Sequence, residues 1–205
     1  MSNDDSGPPK LTLHQPEQHF SPEEILETLT ISNRQFLKYW NDKKDKDNLT
    51  YSDFQPAHLP DKLWRKLFIA LVEEDPLRFR FVYQGLYITD ELHQNAIGKY
   101  LAADTFGENY KAIMDIYVKV VENKSPILSR EITVSESKSR YMHEVIHAPL
   151  FDEFGNVSHV VGTIDRNKHD TESKGFHFTD QPTDQPRDWT VSEVFVLDED
   201  YEISK

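Results

Sequence analysis

Pro149 is the residue that most constrains how this chain folds. It closes the string His143-Glu144-Val145-Ile146-His147-Ala148-Pro149, whose first five residues match the H-E-x-x-H pattern of zinc proteases. That pattern binds metal only on a helix. There the two histidines lie about 6 Å apart along the axis and reach one ion, and the glutamate polarises its bound water. In a strand the same spacing separates them by about 13 Å, too far for one tetrahedral ion. Pro149 biases Ala148 away from the α region, so a helix would stop at His147. The polar segment before it, Ser135 to Arg140, leaves fewer than about three turns, a marginal length. A third ligand is also missing. The extended pattern x-x-G-x-x-H would need glycine where Leu150 stands and histidine where Glu153 stands. The spacing favours none of His159, Asp165 or Glu172 as a replacement. The alternative enzyme reading is therefore a zinc-dependent hydrolase with His143 and His147 as ligands and Glu144 as base. The preferred reading is a strand.

In that reading two strands, 140–151 and 157–165, flank the turn Asp152-Glu153-Phe154-Gly155-Asn156. Met142, Glu144 and Ile146 then share one face, and His143, Val145 and His147 the other. With Glu144 outward it is an ordinary exposed sheet residue; with Glu144 inward it is a buried carboxylate and an anchor for a ligand. His143 and His147 are then left to solvent or a partner. Arg130 and Glu131, one strand earlier, read as surface charges.

Upstream, residues 1–20 read as a flexible tail. Ser21-Pro22-Glu23-Glu24 is a helix start, with serine as N-cap and proline in the first turn. Ile25, Leu29, Phe36 and Trp40 continue at helical spacing, so 21–50 is expected to be a helical lead-in, interrupted near Ser32-Asn33. Strands are expected over 68–73 and 78–84. In the second, Phe79, Phe81 and Tyr83 alternate with Arg78, Arg80 and Val82. Residues 86–104 have short-range helical character. The best helix of the chain runs over 107–123, with Tyr110, Ile113, Met114, Tyr117, Val120 and Val121 on one stripe. Another strand follows at 127–134. Residues 166–205 form an acidic polar tail, and 189–203 within it reads as a short strand or docking segment.

Composition sets limits on function. The 205 residues hold no cysteine, which excludes disulfides, iron–sulfur clusters, thiolate zinc sites, a cysteinyl-flavin adduct and a thioester-linked chromophore. The formal net charge of −13 argues against nucleic-acid or anionic-membrane binding, and the sole basic cluster, 43–47, is interleaved with acids. No apolar run approaches a membrane span, and the N-terminus lacks the order of a signal peptide, so a cytoplasmic location is expected. No Walker loop, G-x-S-x-G or G-x-G-x-x-G pattern is present.

The order of hairpin, short helices, long helix and three strands resembles the PAS fold. The likeness is best in Ala148-Pro149-Leu150-Phe151 with the Gly155 turn and the closing Val161-Gly162-Thr163-Ile164-Asp165. The front half is similar to small stand-alone PAS proteins of alphaproteobacteria: an aromatic helix (Phe36-Leu37-Lys38-Tyr39-Trp40), an Asp53-Phe54-Gln55-Pro56 turn, a Phe79-Arg80-Phe81 strand running to Gly85, and a Gly98-to-Leu101 step. The strand ends Tyr83-Gln84-Gly85-Leu86, where that subtype favours Val-Gly-Thr.

The resemblance implies an α+β fold: a five-stranded antiparallel sheet with helices on one face, preceded by the amphipathic lead-in, the domain proper covering 51–165. It implies a non-catalytic sensory or regulatory module that binds a small ligand or a protein partner, including a second copy. Tyr83, Tyr87, Tyr100, Tyr117, Met142 and Glu144 would line the helix–sheet cavity. Phe36, Tyr39 and Trp40 would form an interaction helix, packed on the sheet or on a second subunit. No cofactor is expected. His93 is the candidate haem ligand, and a surface role for it is preferred. A third reading is a scaffold acting through the acidic tail.

Overall fold

The computed structural model describes residues 22–44, 49–60, 62–92, 95–107, 110–135, 140–166 and 186–197. Two helices open the chain, α1 (Pro22–Thr28) and α2 (Ile31–Lys44). The break falls at Leu29-Thr30, just before the expected Ser32-Asn33. Three short 3-10 turns lead into a hairpin of β1 (Leu67–Glu73) and β2 (Arg78–Gln84). Then come α3 (Leu86–Leu92), α4 (Ala103–Phe106) and α5 (Tyr110–Asn123), followed by β3 (Ile127–Ser135), β4 (Arg140–Phe151), β5 (Val157–Arg166) and β6 (Pro186–Val196). The strands form one antiparallel sheet in the order β2-β1-β5-β4-β3-β6.

The antiparallel sheet with flanking helices is the expected architecture. A sixth strand extends it, because Pro186–Val196 pairs with β3 along its length. Of the two readings of 189–203, a short strand or a docking segment, the strand is what residues 189–196 form, on the chain's own sheet.

Helices cover both faces. On one, Ile25 and Leu29 of α1 and Phe36, Leu37 and Trp40 of α2 pack on Leu67, Ile69, Ile146, Ala148, Leu150 and Val161. On the other, Ile88 of α3 and Ile113, Ile116, Tyr117 and Val120 of α5 pack on Phe68, Ala70, Val145, Val160 and Ile164. Consequently every residue of β4 from Met142 to Leu150 is buried. A sheet with one wet face would have shown polar alternation there; a sandwiched one does not.

Pro149 is accommodated by where β3 starts. Pairing of β3 with β4 begins at Ile127 opposite His147, so no strand flanks Pro149 on that side. Its carbonyl instead accepts the indole N–H of Trp40 at 3.1 Å. The β4–β5 turn is closed by the Asp152 carboxylate, which accepts from the backbone N–H of Phe154 and Asn156, both at 2.9 Å. Gly155 supplies the positive φ of 79° that this turn needs.

Candidate functional site

A pocket of about 50 Å³ lies between the sheet and α5. Its apolar walls are Phe68, Phe81, Ile88, Phe106, Ile113, Tyr117, Val145 and Ile164, and Gln84, Glu131 and His147 add polar groups. Strand register explains the set. His147 and Val145 occupy the odd positions of β4, and Ser129 and Glu131 the matching positions of β3, where Ser129 lies opposite Val145 and Glu131 opposite His143. A β-bulge between β1 and β2 supplies Gln84: Ala70 faces Phe81 and Ile69 faces Tyr83, so Val82 is the extra residue. Past the bulge the alternation is reversed, and Gln84 is brought opposite Phe68, on the pocket side.

The polar groups form a connected cluster in the core. Ser129 and Glu131, both buried, are joined by a hydrogen bond of 2.5 Å from the serine hydroxyl to Glu131 Oε1. The same hydroxyl lies 3.3 Å from Nε2 of His147, and Glu131 Oε1 is 3.7 Å from that nitrogen. The His147 ring stands 5.4 Å from Phe68 and 5.1 Å from Tyr117, centroid to centroid. Its Nδ1 atom is buried without a hydrogen-bond partner. Burial pushes the Tyr117 phenol well above its ordinary range, and the nearby Glu131 charge adds to the effect. Burial holds His143 down at about 4, assisted by Arg166 and opposed by Glu131 and Asp165. The site thus presents a desolvated acceptor atom beside aromatic walls.

Residues 29–165 match the family model described as PAS domain. The chain belongs to the PAS domain family. Similar solved structures include the light-oxygen-voltage domain of a flavin-analogue study (16% identity, 52% of this chain and 79% of that one, TM-score 0.41). They also include the fungal blue-light photoreceptor Vivid in its light-state dimer (11% identity, 63% and 92%, TM-score 0.42). A third is the Vibrio cholera VqmA–ligand–DNA complex (12% identity, 60% and 62%, TM-score 0.44). Among curated proteins no sequence matches this PAS protein.

Of the six residues expected to line the cavity, Tyr117 does so. Tyr83 lies on the opposite face, packed on the lead-helix core with its hydroxyl on the Trp64 carbonyl at 2.9 Å; the bulge at Val82 turned it over. Tyr87 packs on the α5-side core and receives Lys66 over its ring at 4.6 Å. Tyr100 points to the β2 edge, where its hydroxyl meets Glu73 at 3.0 Å. Met142 and Glu144 sit on even positions of β4 and so face the lead helices, away from the pocket.

Glu144 has a definite role on that other face. Its Oε1 accepts from the backbone N–H of Thr30 at 2.8 Å and from Asn33 Nδ2 at 2.9 Å. Asn33 in turn donates to the Glu144 carbonyl at 3.0 Å and accepts from Thr163 at 2.6 Å. The carboxylate thus sits at the N-terminus of α2, where the helix dipole favours negative charge. Burial raises its pKa, and the bonds from Thr30 and Asn33, with Arg130, pull it back.

Phe36 and Trp40 are buried in the protein's own core, and Tyr39 hydrogen-bonds the carbonyls of Asp53 and His58, both at 3.0 Å. The expected interaction helix therefore spends its aromatic face on the sheet. The zinc reading fails because His143 to His147 lie within strand β4. Among the described residues no group of three or more His, Asp or Glu side chains could hold a metal ion. His159 stacks on Tyr51 at 4.7 Å and Asp165 pairs with Lys66 at 2.6 Å. His93 and Glu172 lie outside the described residues.

Gln84, Ser129, Glu131 and His147 escaped the sequence reading. A usable signal existed in Ser129-x-Glu131 and His143-x-x-x-His147: polar residues sharing one face of two otherwise apolar strands. It was read as an exposed face because only one face of the sheet was expected to be covered.

Proposed function

We propose that this PAS protein is a non-catalytic regulatory module that takes a small ligand in the pocket beneath α5. Occupancy would be relayed to the lead helices through β4. The observation that carries this reading is the desolvated Ser129–Glu131–His147 cluster beside a void with aromatic walls. Buried polar groups ordinarily find partners, and one left open beside a cavity is a place for a ligand or water. The relay is supported by strand geometry. Val145 and His147 border the pocket, and Glu144, between His143 and Val145, holds Thr30 and Asn33 from the other side of the same strand. A ligand preferring one position of β4 would shift the population of docked lead helices. The pocket is far smaller than the roughly 150 Å³ that holds a benzene ring, so a flavin or haem does not fit these walls.

Hydrogen exchange on the protein purified in native form, with native mass spectrometry for bound small molecules, tests both parts. A bound molecule that disappears when Val145→Trp fills the pocket, and altered protection of residues 30–40 on its removal, are the expected results. A molecule that stays bound in Val145→Trp would rule out the pocket. Unchanged protection at 30–40 would rule out the relay.

A protein partner, including a second copy, is the second reading. It is favoured by the outer edge of β6, where Val194 and Val196 are exposed and no strand pairs among the described residues. The net charge of −13 supports a protein or small molecule over nucleic acid. Light scattering across a concentration series reads this directly, and a monomer at every concentration excludes the self-pairing form.

A further inference from the structure

The two nitrogens of His147 are not equivalent, and their difference defines the ligand. Ser129 has one hydroxyl proton, and it is given to Glu131 Oε1 at 2.5 Å. The 3.3 Å contact between that hydroxyl and Nε2 of His147 then works only with the proton on Nε2, donating to the serine oxygen. Glu131 Oε1, 3.7 Å from Nε2, favours the proton on the same side. In the neutral ring this leaves Nδ1 with a bare lone pair. That atom is buried and has no partner, and His147 itself is 2% exposed and borders the pocket. The polar atoms of Gln84 are engaged within the chain, its Nε2 with Thr89 and its Oε1 with the Ala96 N–H.

We infer that the pocket takes a small, flat molecule, neutral or cationic, that donates an N–H or O–H to Nδ1 of His147. The inference rests on the ligand-binding reading above and narrows it. Flatness follows from the rings of Phe68 and Tyr117 that flank the imidazole. Anions are excluded by the negative charge that Glu131 presents a few ångströms away. A carboxylate or phosphate would also offer an acceptor to an acceptor.

Acetamide and acetone make the decisive pair, since both are flat, share one heavy-atom shape small enough for a pocket of about 50 Å³, and only acetamide carries an N–H donor. Each is titrated into the full chain and followed by the methyl resonances of Ile113, Val145 and Ile164. The wild type is expected to bind acetamide at least about tenfold more tightly than acetone, the difference one good hydrogen bond makes. In His147→Phe, which keeps a ring in place, the preference is expected to vanish. Phe106→Ala, which removes a half-buried wall, should strengthen both probes and keep the preference. Equal binding of the two by the wild type, or a preference that survives His147→Phe, overturns the assignment and leaves the pocket reading standing. Methyl signals that move with neither probe, in the wild type and in Phe106→Ala, remove both. An imidazole ¹⁵N spectrum needs no variant to fold. A neutral His147 ring with its proton on Nδ1 would overturn the inference outright.

Discussion

On the lead-helix face of the sheet, Glu144 takes its hydrogen bonds from Thr30 and Asn33, residues 114 and 111 positions away in the chain. On the α5 face, Glu131 takes one from Ser129, two positions along its own strand. Both carboxyls are buried, at 0% and 2% exposure. The first ties separate elements together, and its side of the sheet is filled by Phe36, Trp40 and Phe54. The second orients a histidine beside a void. The contrast shows how one sheet can hold two buried carboxyls back to back: on one side the residue ties distant elements together, and on the other it sits with a serine of its own strand beside a histidine that borders a pocket.

The strongest way to break this comparison is Trp40→Ala. It removes a 1%-exposed indole and its bond to the Pro149 carbonyl, and should cost about 3–5 kcal/mol in chemical denaturation. If the faces are separable, the α5-side methyl resonances keep their positions while the lead helices exchange freely.

Acid is the next largest lever, and it acts with opposite sign on the two faces. His143 titrates at about 4 when folded against an ordinary 6.5, so between these values the unfolded chain binds the proton and the folded chain does not. Its contribution is full above pH 6.5 and falls by roughly 3 kcal/mol as pH drops toward 4. The groups that bear on it are Glu131, Asp165 and Arg166. Glu144, with a raised pKa, costs stability as pH climbs above its ordinary 4.5, because the folded site then holds a poorly solvated charge. Denaturation across pH 4 to 7 should therefore show a loss toward acid that weakens in His143→Phe, and Glu144→Gln should gain stability near pH 7 relative to pH 4. A flat wild-type profile with unchanged variants would mean that neither group is held as described.

Asn33→Ala sharpens the anchor side. It strips partners from the Glu144 carboxyl, the Glu144 carbonyl and the Thr163 hydroxyl, and should cost about 1–3 kcal/mol by urea titration. Val145→Ile, on the pocket side, should change stability by less than about 1 kcal/mol, because the added methylene enters existing space. It should nevertheless weaken any pocket ligand in calorimetry. A large loss of stability there would mean the void is not available.

Much of the fold was legible because strand and helix periods are local. Residues 140–151 were readable as a strand from Pro149, the short polar segment before them and the turn at Gly155, and the stripe of α5 from its helical spacing. The site was less legible. The bulge at Val82 is a register slip between two strands, invisible in either one, and it exchanged Tyr83 for Gln84 in the pocket. Glu131, His143 and His147 looked like an exposed face because alternation reports that two faces differ, and cannot report that both are covered.

By itself the sequence determined which segments extend and which coil, since proline stiffness and side-chain period act over a few residues. Tertiary structure decided the rest: that α1 and α2 close the second face, that Pro186–Val196 joins the sheet at β3, and that Glu144 anchors a helix while His147 borders a pocket. Those outcomes depend on hydrogen bonds and burial between residues up to 130 positions apart, and no local pattern encodes such partners.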